Sequence, residues 1–326
     1  MKKISRMGII SIMIWSLLFS LSSCAKKATD FSEKVTIENG INNFNAGGSL
    51  AFIDDSLYVV NIANASYYGT YLVNSDGAKC LFDQPENLES NYSITAPRIY
   101  QYNNTLLFYQ PSDSKLHQFD RENNTISNET LNISFDRGNC YISDDLSVYS
   151  HGEHLMVQYK DNEAFQLEYD VSDFCVYENK IYFISGTGGL YYNDPSLLNP
   201  KSVLIKYPRE ECISSIMMCG GYCYYIGDGS KRSNYNPGLY RYSFDSDQSE
   251  LIKQEDVLSL NQRDDTLYFA TNSGIYAADE TGCKKISGIK TEELYIFGDE
   301  WIYTYDSNGK IYRLSVDGKT VERVIL

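Results

Sequence analysis

The sequence contains little of what histidine-based metal centres and active sites require. Its 326 residues include only three histidines, together with seven prolines and two tryptophans. Histidine is the commonest metal ligand and a frequent general acid or base, so a histidine-clustered centre would need more of them. Past residue 21 the chain also lacks the roughly 20 apolar residues of a membrane-spanning helix and any helical stripe. These gaps argue against an α-helical protein and against a histidine-rich metalloenzyme.

Positive charge is scarce as well. Lysine and arginine number 28 against 43 aspartate and glutamate residues, which gives a formal net charge of −15. An acidic surface repels the phosphates of nucleic acids and disfavours contact with anionic lipid. We therefore expect no nucleic-acid partner, and we interpret the charge as a means of solubility outside the cell.

The N-terminus has the pattern of a secretory signal. A basic segment with Lys2, Lys3 and Arg6 precedes an apolar run at 8–21. The run ends in Leu-Ser-Ser-Cys24, which resembles the lipobox of bacterial lipoproteins and implies that Cys24 is lipidated; an ordinary cleavage site beside a chance cysteine is the alternative. We predict a signal peptide at 1–23, a lipidated flexible tether at 24–45 and a mature net charge of −18, since the signal carries three positive charges.

Tyrosine, in contrast, is abundant, with 29 residues beside 14 phenylalanines. Aromatic residues mixed with Asn, Asp and Gly favour strands and tight turns over helices. Short apolar strands flank dipeptides that are typical of two-residue β-hairpin turns. These dipeptides are Asp54-Asp55, Asn103-Asn104, Asp144-Asp145, Glu178-Asn179, Gly220-Gly221, Asp264-Asp265 and Asp299-Glu300.

The hairpins belong to a longer repeat of strand, tight turn, strand, variable loop, strand, polar turn and strand. It recurs seven times at intervals of about 40 residues, which matches the blade of a β-propeller. The sequence therefore predicts an all-β protein with a seven-bladed β-propeller of four-stranded antiparallel blades over 46–326. One β-sandwich, or two, is the alternative. The last outer strand is predicted at 320–326, and residues 34–38 form a second candidate for closing the ring.

The last unit resembles a known family. Its phrase "IYTYD...GKIYRLSVDG", within 301–318, looks like the YWTD repeat of low-density-lipoprotein-receptor-like propellers. The run Tyr303-Thr304-Tyr305-Asp306 departs from that motif, and the other units keep little beyond the tyrosine. Similar propellers occur in bacterial lipoproteins, so the resemblance implies a fold and a cellular address but no ligand.

One end of the predicted propeller carries most of the long insertions. Second-to-third-strand loops and connections between units leave by this end, which we call the loop face, and the tight turns leave by the other end, the turn face. Variable loops on a rigid scaffold commonly carry function, and exposed Tyr and Arg favour protein partners. Candidate ligand-binding residues are Tyr67, Tyr68, Tyr92, Tyr207, Arg209, Lys231, Arg232 and Tyr235; the alternative is that these loops are solvated and their tyrosines pack on neighbours. Two long insertions, at 120–130 and 194–200, are placed on the turn face.

Other candidate sites are weaker. His151-Gly-Glu-His154 is interpreted as a polar loop, and the Asp-rich turns at 245–249 and 306–309 lack the residues of an EF-hand calcium loop. If Gly220-Gly221 is a two-residue turn, Cys219 and Cys223 point to opposite sides; a three-residue loop would set them opposite one another. We expect buried thiols, no catalytic residue that the sequence singles out, no metal and no cofactor.

Three functions remain open from the sequence. The first is a lipid-anchored, extracytoplasmic binding module that uses its loop face to bind a protein or a polysaccharide at the cell surface. It would touch the membrane through the N-terminal lipid only. The second is a carbohydrate-active hydrolase or lyase with carboxylates in the central funnel, and the third is a structural component of the bacterial envelope.

Overall fold

The computed structural model describes ten stretches of the chain: residues 48–60, 70–82, 99–102, 105–110, 115–130, 140–151, 154–207, 213–227, 236–297 and 301–325. The predicted signal peptide, the tether and the candidate closing strand at 34–38 lie outside them. Antiparallel β-strands joined by turns make up most of the described residues. No helix of the length and apolar character needed to cross a bilayer occurs in them.

The described strands form six sheets. The first contains β1 (Leu50–Ile53), β2 (Ser56–Val60), β3 (Thr70–Asn74) and β4 (Gly77–Phe82), and the second β5 (Ile99–Tyr102), β6 (Thr105–Gln110), β7 (Lys115–Asp120) and β8 (Thr125–Thr130). The third contains β9 (Cys140–Ile142), β10 (Leu146–His151), β11 (His154–Tyr159), β12 (Phe165–Tyr177), β13 (Lys180–Ser185), β14 (Leu190–Asn193) and β15 (Val203–Lys206). The fourth contains β16 (Ile213–Cys219), β17 (Tyr222–Gly227), β18 (Gly238–Ser243) and β19 (Gln248–Lys253). The fifth contains β20 (Val257–Arg263), β21 (Thr266–Thr271), β22 (Gly274–Asp279) and β23 (Gly282–Ser287), and the sixth β24 (Leu294–Phe297), β25 (Trp301–Tyr305), β26 (Ile311–Ser315) and β27 (Val321–Arg323).

The sheet count corrects the predicted architecture. The all-β class is right, but the seven-bladed propeller of four-stranded blades is wrong. The described strands form five sheets of four strands and one of seven, so a single closed seven-bladed ring is not what the structure has. The sequence prediction divided the seven-stranded sheet into two units.

The strand β12 is the reason for this difference. It runs without a break over 13 residues, "FQLEYDVSDFCVY". Its first part, up to Asp170, pairs with β11, and its second part, from Val171, pairs with β13. The segment contains no Gly, Pro or Asn, and its turn-favouring residues Asp170, Ser172 and Asp173 are accommodated by a register shift between Val171 and Asp173 instead of a turn. One continuous strand therefore joins what the repeat assigned to separate units.

Hydrophobic clusters connect neighbouring sheets in chain order. The first strands of successive sheets contact one another, as β16 does with β20 and β20 with β24. One cluster connects the first sheet to the last and includes Phe52, Phe297 and Tyr303. Another lies within the seven-stranded sheet, between its two halves. Sheets that pack side by side through such clusters make the fold propeller-like.

A stacked aromatic pair recurs in three consecutive sheets. The rings of Phe183 and Tyr191 lie 5.5 Å apart, and those of Phe269 and Tyr276 lie 5.3 Å apart, with interplanar angles of 11° and 16°. The equivalent pair in the fourth sheet, Tyr225–Tyr240, is 5.5 Å apart. Each pair joins directly opposed residues of two adjacent strands: β13 and β14, β17 and β18, and β21 and β22. Cross-strand aromatic pairs stabilise a sheet, so the tyrosine repeat noted in the sequence serves the core.

The residues of the family-like phrase also have a structural role. Arg313 lies opposite Tyr303 in the sheet, with its guanidinium 4.4 Å from the Trp301 ring centroid. Its Nε donates to Glu322 Oε2 at 2.7 Å. The same arrangement of Tyr, Arg, ring and carboxylate recurs in the fourth sheet (Tyr224, Arg241, Tyr222 and Glu250). These residues tie strands together and so account for the phrase without a ligand.

Of the seven predicted turn dipeptides, Asn103-Asn104 and Asp299-Glu300 lie outside the described residues, and the other five join adjacent antiparallel strands. Asp54-Asp55, Glu178-Asn179 and Gly220-Gly221 have positive φ at both positions, as two-residue hairpins require. The last outer strand, β27, falls within the predicted 320–326. The insertion predicted at 120–130 is wrong, because residues 125–130 form β8. The insertion predicted at 194–200 is confirmed as a long connection between β14 and β15.

The cysteines match the expectation of buried thiols in part. Cys140, Cys175, Cys219 and Cys223 are buried free thiols, whereas Cys80 and Cys283 are exposed. Cys219 lies opposite Tyr222, and Cys219 and Cys223 belong to different clusters, as the two-residue turn predicts. Burial raises the pKa of both Cys219 and Cys223 to about 12. Such thiols are poor nucleophiles because little thiolate forms at neutral pH.

Candidate functional site

Of the candidate ligand-binding residues, the structure describes Tyr207. Its side chain is 57% exposed, directly after the edge strand β15. The predicted lipidation site, Cys24, lies outside the described residues, and so do the other ligand-binding candidates: Tyr67, Tyr68, Tyr92, Arg209, Lys231, Arg232 and Tyr235. Whether these side chains come together with Tyr207 stays a prediction.

The ring of Tyr207 has a rigid support. Its hydroxyl oxygen lies 3.3 Å from that of Tyr191, so one hydroxyl donates to the other. Tyr191 is only 5% exposed, and its ring contacts Tyr169 at 4.5 Å between centroids. The hydrogen bond with Tyr207, together with burial, raises the pKa of Tyr191 above its usual range. Gly189 packs closely against the Tyr207 ring, since a Cβ at this position would lie only 3.0 Å from that ring. Tyr207 is thus an exposed aromatic surface on a fixed base.

The histidines do not form a metal centre with the described residues. His151 and His154 lie opposite each other in the β10–β11 hairpin, and His154 Nδ1 is 3.7 Å from Asp170 Oδ1. His117 is buried, with Nδ1 3.0 Å from the Ser127 carbonyl oxygen. No group of three or more His, Cys, Asp or Glu side chains in the described ranges is placed to hold a metal ion.

Carboxylates with lowered pKa values occupy turns. Asp279 Oδ1 accepts hydrogen bonds from the Thr281 hydroxyl and from two backbone N–H groups, and these bonds hold its pKa below the usual range. Burial acts in the opposite direction on Asp306, but hydrogen bonds from the N–H groups of Lys310 and Asn308 still lower its pKa. Hydrogen bonds to the charged form explain both shifts. The Asp-rich segment at 306–309 is therefore a turn, as predicted.

A pocket of about 340 Å³ opens on the turn face between the fourth and fifth sheets. We call it the acidic pocket. Its lining consists of Gly220, Tyr222, Asp265, Thr266, Asp279, Glu280 and Thr281. Three hairpin or polar turns supply these residues, and three of the seven carry carboxylates. The sequence predicted function on the opposite face, and this pocket was not predicted.

Tight contacts between turns build the pocket. The Gly220-Gly221 turn lies against the neighbouring Asp264-Asp265 turn, since a Cβ on Gly220 would stand 3.4 Å from the Cβ of Asp265. Arg241 joins the far wall. Its Nη1 donates to the Asp279 carbonyl oxygen at 2.7 Å, and its guanidinium lies 4.8 Å from the Tyr222 ring centroid. The pocket therefore has fixed walls.

Two carboxylates of the lining are available to a ligand. Asp265 and Glu280 are exposed, and neither accepts a hydrogen bond from another residue in the described part of the chain. The third carboxylate, that of Asp279, is already engaged in its turn. Arg241 directs its Nη2 away to Glu250 at 2.9 Å. The lining thus offers mainly hydrogen-bond acceptors and negative charge.

No protein-family model matches the sequence, and no curated protein is similar to it. The fold is similar to solved structures of β-propeller-like proteins. Hsv2 of Kluyveromyces lactis shares 11% identity at a TM-score of 0.52, over 86% of this chain and 98% of that one. PorZ, an essential bacterial surface component of the type-IX secretion system of Porphyromonas gingivalis, shares 15% identity at 0.58, over 88% of this chain and 39% of that one. The extracellular domain of the one-component system BT4673 from B. thetaiotaomicron shares 11% identity at 0.50, over 89% of this chain and 47% of that one. At these identities the similarity concerns the fold alone.

Proposed function

We propose that the chain is an extracytoplasmic binding module, held to a bacterial membrane by a lipid on Cys24, that binds a protein or a glycan at the cell surface through its loop face. The observation that carries this proposal is the exposed ring of Tyr207 on its buried tyrosine support. Tyrosine supplies a large contact area at a low entropic cost, which suits a preformed binding surface.

Two further observations support the proposal. PorZ and BT4673, with which the chain shares its fold, are a bacterial surface component and an extracellular domain. The signal-like N-terminus with its lipobox-like end agrees with such an address. The resemblance of residues 301–318 to low-density-lipoprotein-receptor-like propellers belongs to the same proposal, as a relationship of fold.

The anchor makes a direct prediction. The variant Cys24→Ala lacks the sulfur that would be lipidated, and the remaining chain has no other expected membrane contact. We expect it to move from the membrane fraction to the soluble extracytoplasmic fraction, as measured by fractionation and immunoblotting. Cys80→Ala serves as the control, because Cys80 lies in β4 of the folded part. Retention of the Cys24→Ala variant in the membrane would refute the anchor.

The loop face is tested by cross-linked capture at the native cell surface. We expect the wild type to retain a protein or polysaccharide that Tyr207→Ala captures several-fold less and that Lys231→Ala/Arg232→Ala/Tyr235→Ala loses. Removing the aromatic and basic contacts removes most of the binding energy when these residues are hot spots. Protein sequencing and sugar analysis of the captured material distinguish the two ligand classes.

Phe244→Ala is the matched control for this capture. Phe244 is also an exposed aromatic residue, at 39%, but it follows β18 on the turn face. Equal capture by the wild type and all variants would place the binding surface elsewhere.

A further inference from the structure

We propose that the acidic pocket binds a single basic side chain, arginine or lysine, presented by a partner protein. The pocket lies on the turn face, so this contact is separate from the loop face and does not depend on the function proposed for it. Three observations lead to it: the shape of the pocket, the charge of its lining and the rigidity of its walls.

The shape comes first, because carboxylates on a convex surface would not make a site. Here turns from two sheets line a half-open recess of about 340 Å³, near the lower limit of small-ligand pockets and suited to one long side chain. Tyr222 forms one wall and is half-buried. Aromatic walls favour the stem of lysine or arginine, and the Tyr222 ring already holds one guanidinium, that of Arg241, 4.8 Å from its centroid.

The charge of the lining selects a cation. Asp265 and Glu280 contribute exposed carboxylates. Two guanidinium groups lie beside the lining: that of Arg241 is held by Glu250 and by the Asp279 carbonyl, and that of Arg263, opposite Thr266, is paired with Asp264. A guanidinium can form bidentate hydrogen bonds with a carboxylate, and an ammonium can bind as a point charge. An anionic ligand would meet repulsion from every ionised group of the lining. A metal ion is disfavoured, since no cluster of three or more ligating side chains occurs in the described residues.

The rigidity of the walls lowers the entropic cost of binding. Asp279 fixes the Glu280–Thr281 turn through hydrogen bonds of 2.7 Å and 2.6 Å from Thr281. Arg241 connects the same turn to Tyr222, because it donates to the Asp279 carbonyl oxygen and lies over the Tyr222 ring. A partner's side chain would therefore enter a site that is already formed.

The test uses a fluorescein-labelled tri-arginine peptide and a tri-lysine peptide as probes for the purified protein. Binding is followed by fluorescence anisotropy at physiological salt. The variant Asp265→Asn/Glu280→Gln removes both available charges with little change of shape. We expect it to bind at least about tenfold more weakly than the wild type, because charge-assisted hydrogen bonds are lost.

The matched control is Asp161→Asn/Glu163→Gln. These two carboxylates are also exposed on a turn of the same face, between β11 and β12, and their loss changes the net charge by the same amount. Unchanged binding by the control and weakened binding by the pocket variant would support the site. Equal weakening by both would mean that the whole acidic surface attracts the peptide, and would overturn the proposal.

Two other outcomes would also overturn it. The first is a wild type that binds neither peptide. The second is displacement of the peptide by a neutral monosaccharide, which would make the pocket a sugar site. Thermal unfolding of both variants checks that each is folded, so that a loss of binding reports on the pocket.

Discussion

Replacing Phe269 by alanine is expected to lower the free energy of unfolding by about 3–5 kcal/mol. The side chain is fully buried, stacks on Tyr276 at 5.3 Å, and belongs to the cluster that joins the fourth and fifth sheets. The substitution removes apolar contacts and leaves a cavity between the two sheets, which the closely packed side chains around it cannot fill. Urea unfolding, followed by circular dichroism and tyrosine fluorescence, measures the loss. Since domains of this kind are stable by only about 5–15 kcal/mol, the variant would sit near the limit of folding.

Two controls give this loss its meaning. Phe269→Leu keeps much of the volume and is expected to cost less than the alanine variant. Phe244→Ala removes the same side chain from an exposed position, and we expect a loss of about 1 kcal/mol or less. If Phe269→Ala cost no more than Phe244→Ala, the cluster would not be what holds these sheets together.

Replacing Gly274 by alanine is expected to have the second large effect. Gly274 has a φ of 140°, which residues with a side chain rarely adopt. A Cβ at this position would lie 2.2 Å from the Ser287 carbonyl oxygen. The backbone strain costs about 1–3 kcal/mol, and separating the two strands costs about 1–3 kcal/mol more. The lowered midpoint of thermal unfolding measures the sum.

Gly282→Ala separates these two causes. Gly282 has a φ of 144° in the same sheet, but nothing lies within 4 Å of where its Cβ would be. We expect this variant to lose only the strain contribution. Equal losses for Gly274→Ala and Gly282→Ala would show that the approach of β23 to β22 at Ser287 is not a tight contact.

The local structure could be predicted from the sequence because its signals are local. Dipeptides such as Glu178-Asn179 adopt the positive φ angles of two-residue hairpins, and this preference depends on the residues themselves. Short apolar runs between turn residues place strands such as β21 and β22 correctly for the same reason. Strand pairing then follows, since neighbours joined by two-residue turns must be antiparallel.

The count of sheets could not be predicted in the same way. The repeat predicted a break after Asp170, and the turn-favouring residues Asp170, Ser172 and Asp173 agreed with it, but the chain stays extended through them. The absence of Gly and Pro from residues 165–177 favoured one long strand, β12. A single strand at this place conflicted with a repeat of four strands per unit. The period describes an average unit, and here one strand pairs on both sides along different parts of its length.

The acidic pocket was within reach of the sequence. Repetition places the Gly220-Gly221 and Asp264-Asp265 turns at equivalent positions of successive units, and equivalent turns of packed sheets are neighbours. The longest loops, however, lie on the opposite face, and function was predicted there. Which side chains line the pocket depends on the contact between these turns, and no local pattern reveals that distance.

The continuous strand β12 also limits how this chain can be rearranged. A circular permutation that opened the chain after residue 170 would cut β12 where its pairing changes from β11 to β13. It would also separate the two halves of the hydrophobic cluster in the seven-stranded sheet. New termini at residues 254–256, between β19 and β20, would interrupt no strand. In most of the chain, the unit that could be duplicated or exchanged is therefore one four-stranded sheet. In the middle of the chain, that unit is the whole seven-stranded sheet, residues 140–206.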